Sequence, residues 1–242
     1  MIAVALGKLV MYLCLTLIMG YWVLHVCPRE RHPEADVPRG VLVTAYLLFP
    51  VALLIPPLYV SYVITPQVEE TFWQVLKSVL MTFEMGEALL AGVLLVGGLG
   101  LVLINVLGSR AAVAAFRVLL GEEGLARQLA RERAAITDLF QLDLPLPVLL
   151  LLLLASVVMA PVSEEIFFRG YVHGVLRARL GAGAAYVSAA AFAAAHMYLV
   201  HFLPLFLMGI LLARLYERGG TLVAPVLAHA VVNLVVALSL RL

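Results

Sequence analysis

The chain has 242 residues, 64% of them hydrophobic and only 13% charged, with a mean hydropathy of +1.08. Soluble domains run to about 45–50% apolar and about 25% charged, so the composition excludes a water-soluble globular protein and indicates an integral membrane protein. The net charge of +1 gives no basis for a nucleic-acid partner. The two cysteines, Cys14 and Cys27, sit too far apart along one apolar segment for a disulfide and form no CxxC or Cys/His metal cluster.

A membrane-spanning helix needs roughly 20 apolar residues to cross about 30 Å of hydrocarbon. Residues 2–26 form the first such run, which lacks a small-residue cleavage site and reads as a retained helix. A polar loop with Arg29, Arg31 and Arg39 follows. Residues 41–64 form the second run, with Pro50, Pro56 and Pro57 predicting a kink or an irregular stretch. Residues 65–85 mix Glu69, Glu70, Lys77 and Glu84 with aromatics, as in an amphipathic helix on the membrane surface. Residues 88–107 form a third span, and the Gly-rich stretch from Gly97 to Gly100 within it suggests close helix packing. Residues 108–143 alternate five arginines with acids and read as an interfacial helical hairpin broken near Gly121 to Gly124.

Residues 146–159 are apolar and lead through Pro161 to Glu164-Glu165-Ile166-Phe167-Phe168-Arg169, on a helix that should end near Leu180 at Gly181-Ala182-Gly183. Residues 184–200, 203–215 and 222–240 complete the set. The result is an all-α polytopic membrane protein with seven transmembrane helices if 146–180 is one helix, or eight if Pro161 divides it. The distribution of arginines among the loops favours the break and eight segments, with the arginine-rich side cytoplasmic.

Ionisable groups inside a membrane segment are costly unless they pair or line a wet cavity, so they are functional candidates. Glu165 and Arg169 lie four apart, acid before base, and can form an ion pair on one helix face. Glu164 then points roughly 100° away, without a local counter-ion, as suits a general base. His196, one turn beyond Phe192, and His229 with Asn233 on one face of the last helix add polar sites to two further membrane helices. Such groups are expected to converge on one polar cavity with Glu164. Two chemistries fit. Glu164, His196 and His229 are a possible zinc set with an open water position. Alternatively Glu164 and His196 activate water directly, while His229 and Asn233 donate to the oxyanion of a tetrahedral intermediate. An amide is a poor zinc ligand and a good oxyanion donor, so Asn233 favours the second reading, with no required metal. His173, one turn beyond Arg169, reads as padding for the ion pair, and His201 as an interfacial residue before Pro204.

The Glu-Glu-x-x-x-Arg of Glu164 to Arg169, the Phe-x-x-x-His of Phe192 to His196 and the His-x-x-x-Asn of His229 to Asn233, in that order, resemble the three motifs of the CPBP intramembrane proteases, the CaaX-protease and bacteriocin-processing family. The resemblance implies a helical core around a polar cavity, with Glu164 as catalytic base, His196 as its partner, and His229 with Asn233 as the oxyanion site. It divides the chain into N-terminal membrane helices and interfacial segments at 1–145 and a catalytic core at 146–242. It implies an intramembrane endopeptidase in the lipid bilayer whose partner is a membrane-anchored protein or peptide, with glutamate-dependent hydrolysis favoured over a zinc mechanism. Substrate classes include CaaX-type, bacteriocin-related and C-terminal sorting-signal processing. Richness in Ala, Leu, Val and Arg suggests a high-GC bacterium and hence its plasma membrane. The competing class is a non-enzymatic scaffold or an ion- or proton-binding transporter using the same Glu/His/Asn cluster.

Overall fold

The computed structural model describes residues 91–141 and 145–240, with backbone only for 133–141. Among these residues the ordered structure is entirely helical. A π-helical segment, Val93–Gly98, leads into α1, Leu99–Gln141. Helix α2 is Leu146–Leu154, α3 is Ala160–Glu165 and α4 is Gly174–Leu180, with π-helical segments Ala155–Met159 and Ile166–His173 between them. A 3-10 turn, Gly181–Gly183, precedes α5, Ala184–Ala195. Helices α6, Phe202–Gly219, and α7, Val223–Ser239, complete the order.

Residues 99–107 of the third apolar run and residues 108–141 of the arginine-rich stretch are parts of one element, α1, broken at Gly121 with φ 68° and ψ 174°. Only glycine adopts that backbone at little cost. Beyond the break the chain doubles back, so that Leu125 and Leu129 pack with Ala112, Val113 and Phe116 of the first arm, and with Val200. The expected hairpin is therefore present. The glycines that precede it also act as expected. A Cβ on Gly97 would lie 3.0 Å from Leu215 and 3.1 Å from Ala228, and one on Gly98 would lie 3.0 Å from Val231. Small residues let this segment lie directly against α6 and α7.

The stretch from Leu146 to Leu180 is where the structure corrects the sequence reading. Pro161 does not divide it, because the residues joining its pieces, Ala155, Ala160, Ile166 and Gly174, all keep right-handed helical dihedrals. An α-helical proline clashes with the carbonyl four residues earlier and removes one hydrogen bond. Here the preceding turn widens to π geometry, and the Ala160 N–H reaches back five residues to the Ala155 carbonyl. The wider turn accommodates the ring without a break. The argument for eight segments therefore fails at Pro161, and Gly181, with φ 53° and ψ −126°, is where the rod stops.

Helices α5 and α6 form a tight antiparallel pair. Ala185, Ser188, Ala189, Phe192 and Ala193 give α5 a buried face of mostly small residues at helical spacing. The facing Gly209 of α6 comes so near that an added Cβ would lie 2.9 Å from the Cα of Ala189. Leu101, Met208, Leu212, Ala228 and Val232 form the core joining α1, α6 and α7. Phe167, Phe168, Val172 and Phe192 form a second core between the rod and α5.

Among the described residues two helices, Val93–Glu132 and Leu146–Ala195, are long and apolar enough to cross a membrane, and Val223–Ser239 is a shorter apolar helix. Leu95, Val96, Leu99 and Leu103 on one, and Leu146, Leu150, Leu151 and Leu154 on the other, are exposed, as suits surfaces bathed in hydrocarbon. The expected segments at 2–26, 41–64 and 65–85 lie outside the described residues.

Candidate active site

Glu164 and Glu165 end α3, and Arg169 follows one turn later in the second π-helical segment. The expected pair forms, with Arg169 Nη1 donating to Glu165 Oε1 at 2.8 Å. Both residues are 0% exposed. Removing two charges from water costs several kcal/mol per ion, so such a pair persists only when further polar contacts complete it. Arg169 has two: Nη2 donates to the Gly209 carbonyl at 3.3 Å, and the guanidinium lies 4.5 Å from the centre of the Phe192 ring. The close approach of α5 and α6 at Gly209 thus also brings a backbone acceptor within reach of a buried arginine.

Glu165 has a second partner, which spacing along the chain does not reveal. His229, 3% exposed on α7, places Nδ1 2.8 Å from the same Oε1. An ionised carboxylate only accepts, so Nδ1 carries the proton and donates. The ring is thereby oriented with Nε2 towards Glu164, 3.8 Å from Oε2. That gap exceeds a direct hydrogen bond. Glu164 Oε2 is buried and has no hydrogen-bond partner among the described residues. Each of the two adjacent carboxylates keeps a buried Oε2 without a hydrogen-bond partner among the described residues, and they differ in that Glu165 is compensated through Oε1 by Arg169 and His229.

Phe192 touches both histidines, its ring centre 4.7 Å from that of His196 and 5.8 Å from that of His229. His196 closes the last turn of α5, and its Nδ1 lies 2.8 Å from the Phe192 carbonyl. Donation from Nδ1 leaves Nε2 free. The next residue, Met197, has φ 55°, the one positive φ of a non-glycine residue among those described. His196 makes its hydrogen bond within its own turn rather than to Glu164.

Asn233 is directed elsewhere than expected. Its Nδ2 donates to the Ser156 carbonyl at 2.9 Å, pinning α7 to the widened turn. In π register that carbonyl would accept from residue 161, which is proline and has no N–H. Asn233 supplies the missing donor, and its second N–H remains for other use. His173 is also differently placed. Rather than padding the Glu165–Arg169 pair, it packs edge-on against Tyr216 at 5.8 Å between ring centres, with Nε2 3.4 Å from Glu217 Oε1.

The structure therefore gathers Glu164, Glu165, Arg169, Phe192 and His229, with His196 against Phe192 and Asn233 one turn from His229. Among the described residues no three His, Cys, Asp or Glu side chains are grouped to hold a metal ion. Sequence reasoning missed Glu132, an acid in the returning arm of α1 that is only 5% exposed and reaches the turn after His196. Its one local signal was Gln128, four residues earlier, which donates to it at 3.0 Å.

Residues 146–235 match the family described as Type II CAAX prenyl endopeptidase Rce1-like, a span that holds all three motifs and the whole cluster just described. No curated protein and no solved structure matches the chain.

Proposed function

We propose, from the match of residues 146–235 to the family described as Type II CAAX prenyl endopeptidase Rce1-like, that this protein is an intramembrane endopeptidase that hydrolyses a peptide bond in a membrane-anchored protein or peptide. The family is membrane-embedded, proteolytic and acts on prenylated membrane-anchored substrates. The observation that carries the mechanism is the uncommitted Glu164 Oε2 facing the Nε2 of a histidine whose other nitrogen is engaged by Glu165.

In this reading Glu164, with His196 as its partner, takes a proton from water as the water oxygen bonds to the scissile carbonyl carbon. His229, flanked by two carboxylates, donates from Nε2 to the developing oxyanion. The second N–H of Asn233 adds a donor to the same oxygen. Glu164 then returns its proton to the leaving nitrogen as the C–N bond breaks. Glu165 and Arg169 fix the tautomer and position of His229 without touching substrate. Zinc is not required. The location is a bacterial plasma membrane, and the substrate is a CaaX-type, bacteriocin-related or C-terminal sorting-signal protein.

The test is cleavage, by the purified full chain in lipid, of an S-farnesylated CaaX peptide and of the host's own membrane proteins. Wild type is compared with Glu164→Ala, with and without a strong chelator. Cleavage lost in the variant and unaffected by the chelator supports a glutamate-activated water. Loss under chelation that added zinc restores overturns the metal-free mechanism. Equal processing by the variant removes Glu164 as base and returns the cluster to a scaffold or ion-binding role.

A further inference from the structure

Glu132 belongs to the arginine-rich returning arm of α1, outside the family-matched residues 146–235, and the mechanism above does not use it. Its carboxylate is held by four donors or donor-capable groups. Oε1 accepts from the Val200 N–H at 2.7 Å and from Gln128 at 3.0 Å; Oε2 accepts from the His201 N–H at 3.3 Å and lies 2.5 Å from His201 Nδ1. A buried carboxylate so completely satisfied is a built contact rather than a solvated charge.

The place it grips is informative. His201 precedes α6 and caps it with no side-chain bond of its own. Glu132 therefore serves as the cap from another helix, satisfying N–H groups at the entrance to α6 and opposing the positive end of its dipole. Val200, fully buried against Ala112 and Leu125, adds an apolar anchor at the same point. Only Met197, Tyr198 and Leu199 separate this grip from His196. Met197 is left-handed, a conformation that costs an ordinary residue about 1–2 kcal/mol and persists only where the surroundings over-determine it. The turn is fixed on one side by the His196 bond to the Phe192 carbonyl and on the other by Glu132.

We infer that Glu132 is a positioning residue for His196: the arm of α1 reaches into the turn between α5 and α6 and sets where the His196 imidazole stands against the Phe192 ring. The inference rests on the proposed role of His196 in cleavage. It means that the helices outside the family-matched region contribute directly to the geometry of the catalytic core.

The experiment compares wild type, Glu132→Gln, Glu132→Ala and the exposed-arm control Arg127→Ala, all as full chains in lipid. Cleavage of an S-farnesylated CaaX peptide gives kcat and KM, and imidazole resonances of ¹³C-labelled histidine, assigned with His196→Gln and His229→Gln, report each ring. The expected result is a fall in kcat of about ten- to a hundredfold in Glu132→Ala, less in Glu132→Gln, with KM within about twofold. The His196 resonance moves while that of His229 stays, and Arg127→Ala matches wild type. Wild-type kcat and an unmoved His196 resonance in both Glu132 variants overturn the inference. So does an equal movement of both histidines, which marks a general loosening. If wild type cleaves nothing, the protease reading fails, and the His196 resonance still decides whether Glu132 positions that ring.

Discussion

The carboxylate-bearing rod and the α5–α6 pair bury their contents by opposite means. The rod contains two widened π segments and buries Glu164, Glu165, Arg169 and His173. The α5–α6 pair is built from alanines and Gly209 at near-contact distance, with Ser188 turned back onto the Ala185 carbonyl of its own helix. One region departs from regular helix geometry where charge must be positioned, and the other is regular where backbones must be close. They meet at Gly209, whose carbonyl accepts from Arg169. Close packing thus helps to stabilise a buried charge that the rod alone would leave incompletely bonded.

That contrast breaks most completely at Glu164. Replacing it by Gln should lower cleavage by about 10²–10⁴-fold while leaving the thermal unfolding midpoint near wild type, since its Oε2 makes no hydrogen bond to lose. Retained activity would sink the division of labour between the two carboxylates. Arg169→Leu should do the reverse, acting first on stability. It strands Glu165 in the core and should destabilise by about 3–5 kcal/mol in denaturant unfolding from detergent micelles. An intact fold in that variant would show that His229 alone can compensate Glu165.

Gly209→Ala probes the regular region. The new methyl would meet the Cα of Ala189, which cannot rotate away, so an overpacking loss of about 1–3 kcal/mol and some displacement of Arg169 are expected. Asn233→Ala leaves the Ser156 carbonyl without its donor and should cost about 1–3 kcal/mol, measured by the same unfolding. A loss of activity in that variant with no loss of stability would place Asn233 at the oxyanion alone. The smallest effect is expected at the exposed pair of Arg117 and Glu122 beside the Gly121 break, where Arg117→Ala should change stability by less than about 1 kcal/mol.

Contacts within one or two turns were legible in the sequence. The Glu165–Arg169 pair, the shared face of Phe192 and His196, the break at Gly121 and the packing role of Gly97 to Gly100 all follow from helical spacing or from glycine chemistry. Contacts across long separations were not. His229 joins Glu165 from 64 residues away and Val200 joins Glu132 from 68, and no periodicity carries such pairings. Pro161 was misread for a different reason: a proline signals a break in α register, and nothing local announces that the turn before it will widen to π. Asn233 has the functional type of an oxyanion donor, and nothing in its spacing points to the Ser156 carbonyl that occupies one of its hydrogens.

The Asn233–Ser156 bond makes Pro161 and Asn233 a single unit written in two places. Proline withholds a donor from one helix, and an amide 72 positions later on another helix returns it. Each substitution should therefore be judged by what stands at the other. With Ala at 161 the backbone regains an N–H that can reach the Ser156 oxygen, and the loss caused by Asn233→Ala should shrink in that background. A non-additive double substitution would reveal a covalent vacancy in one helix acting as the latch for another.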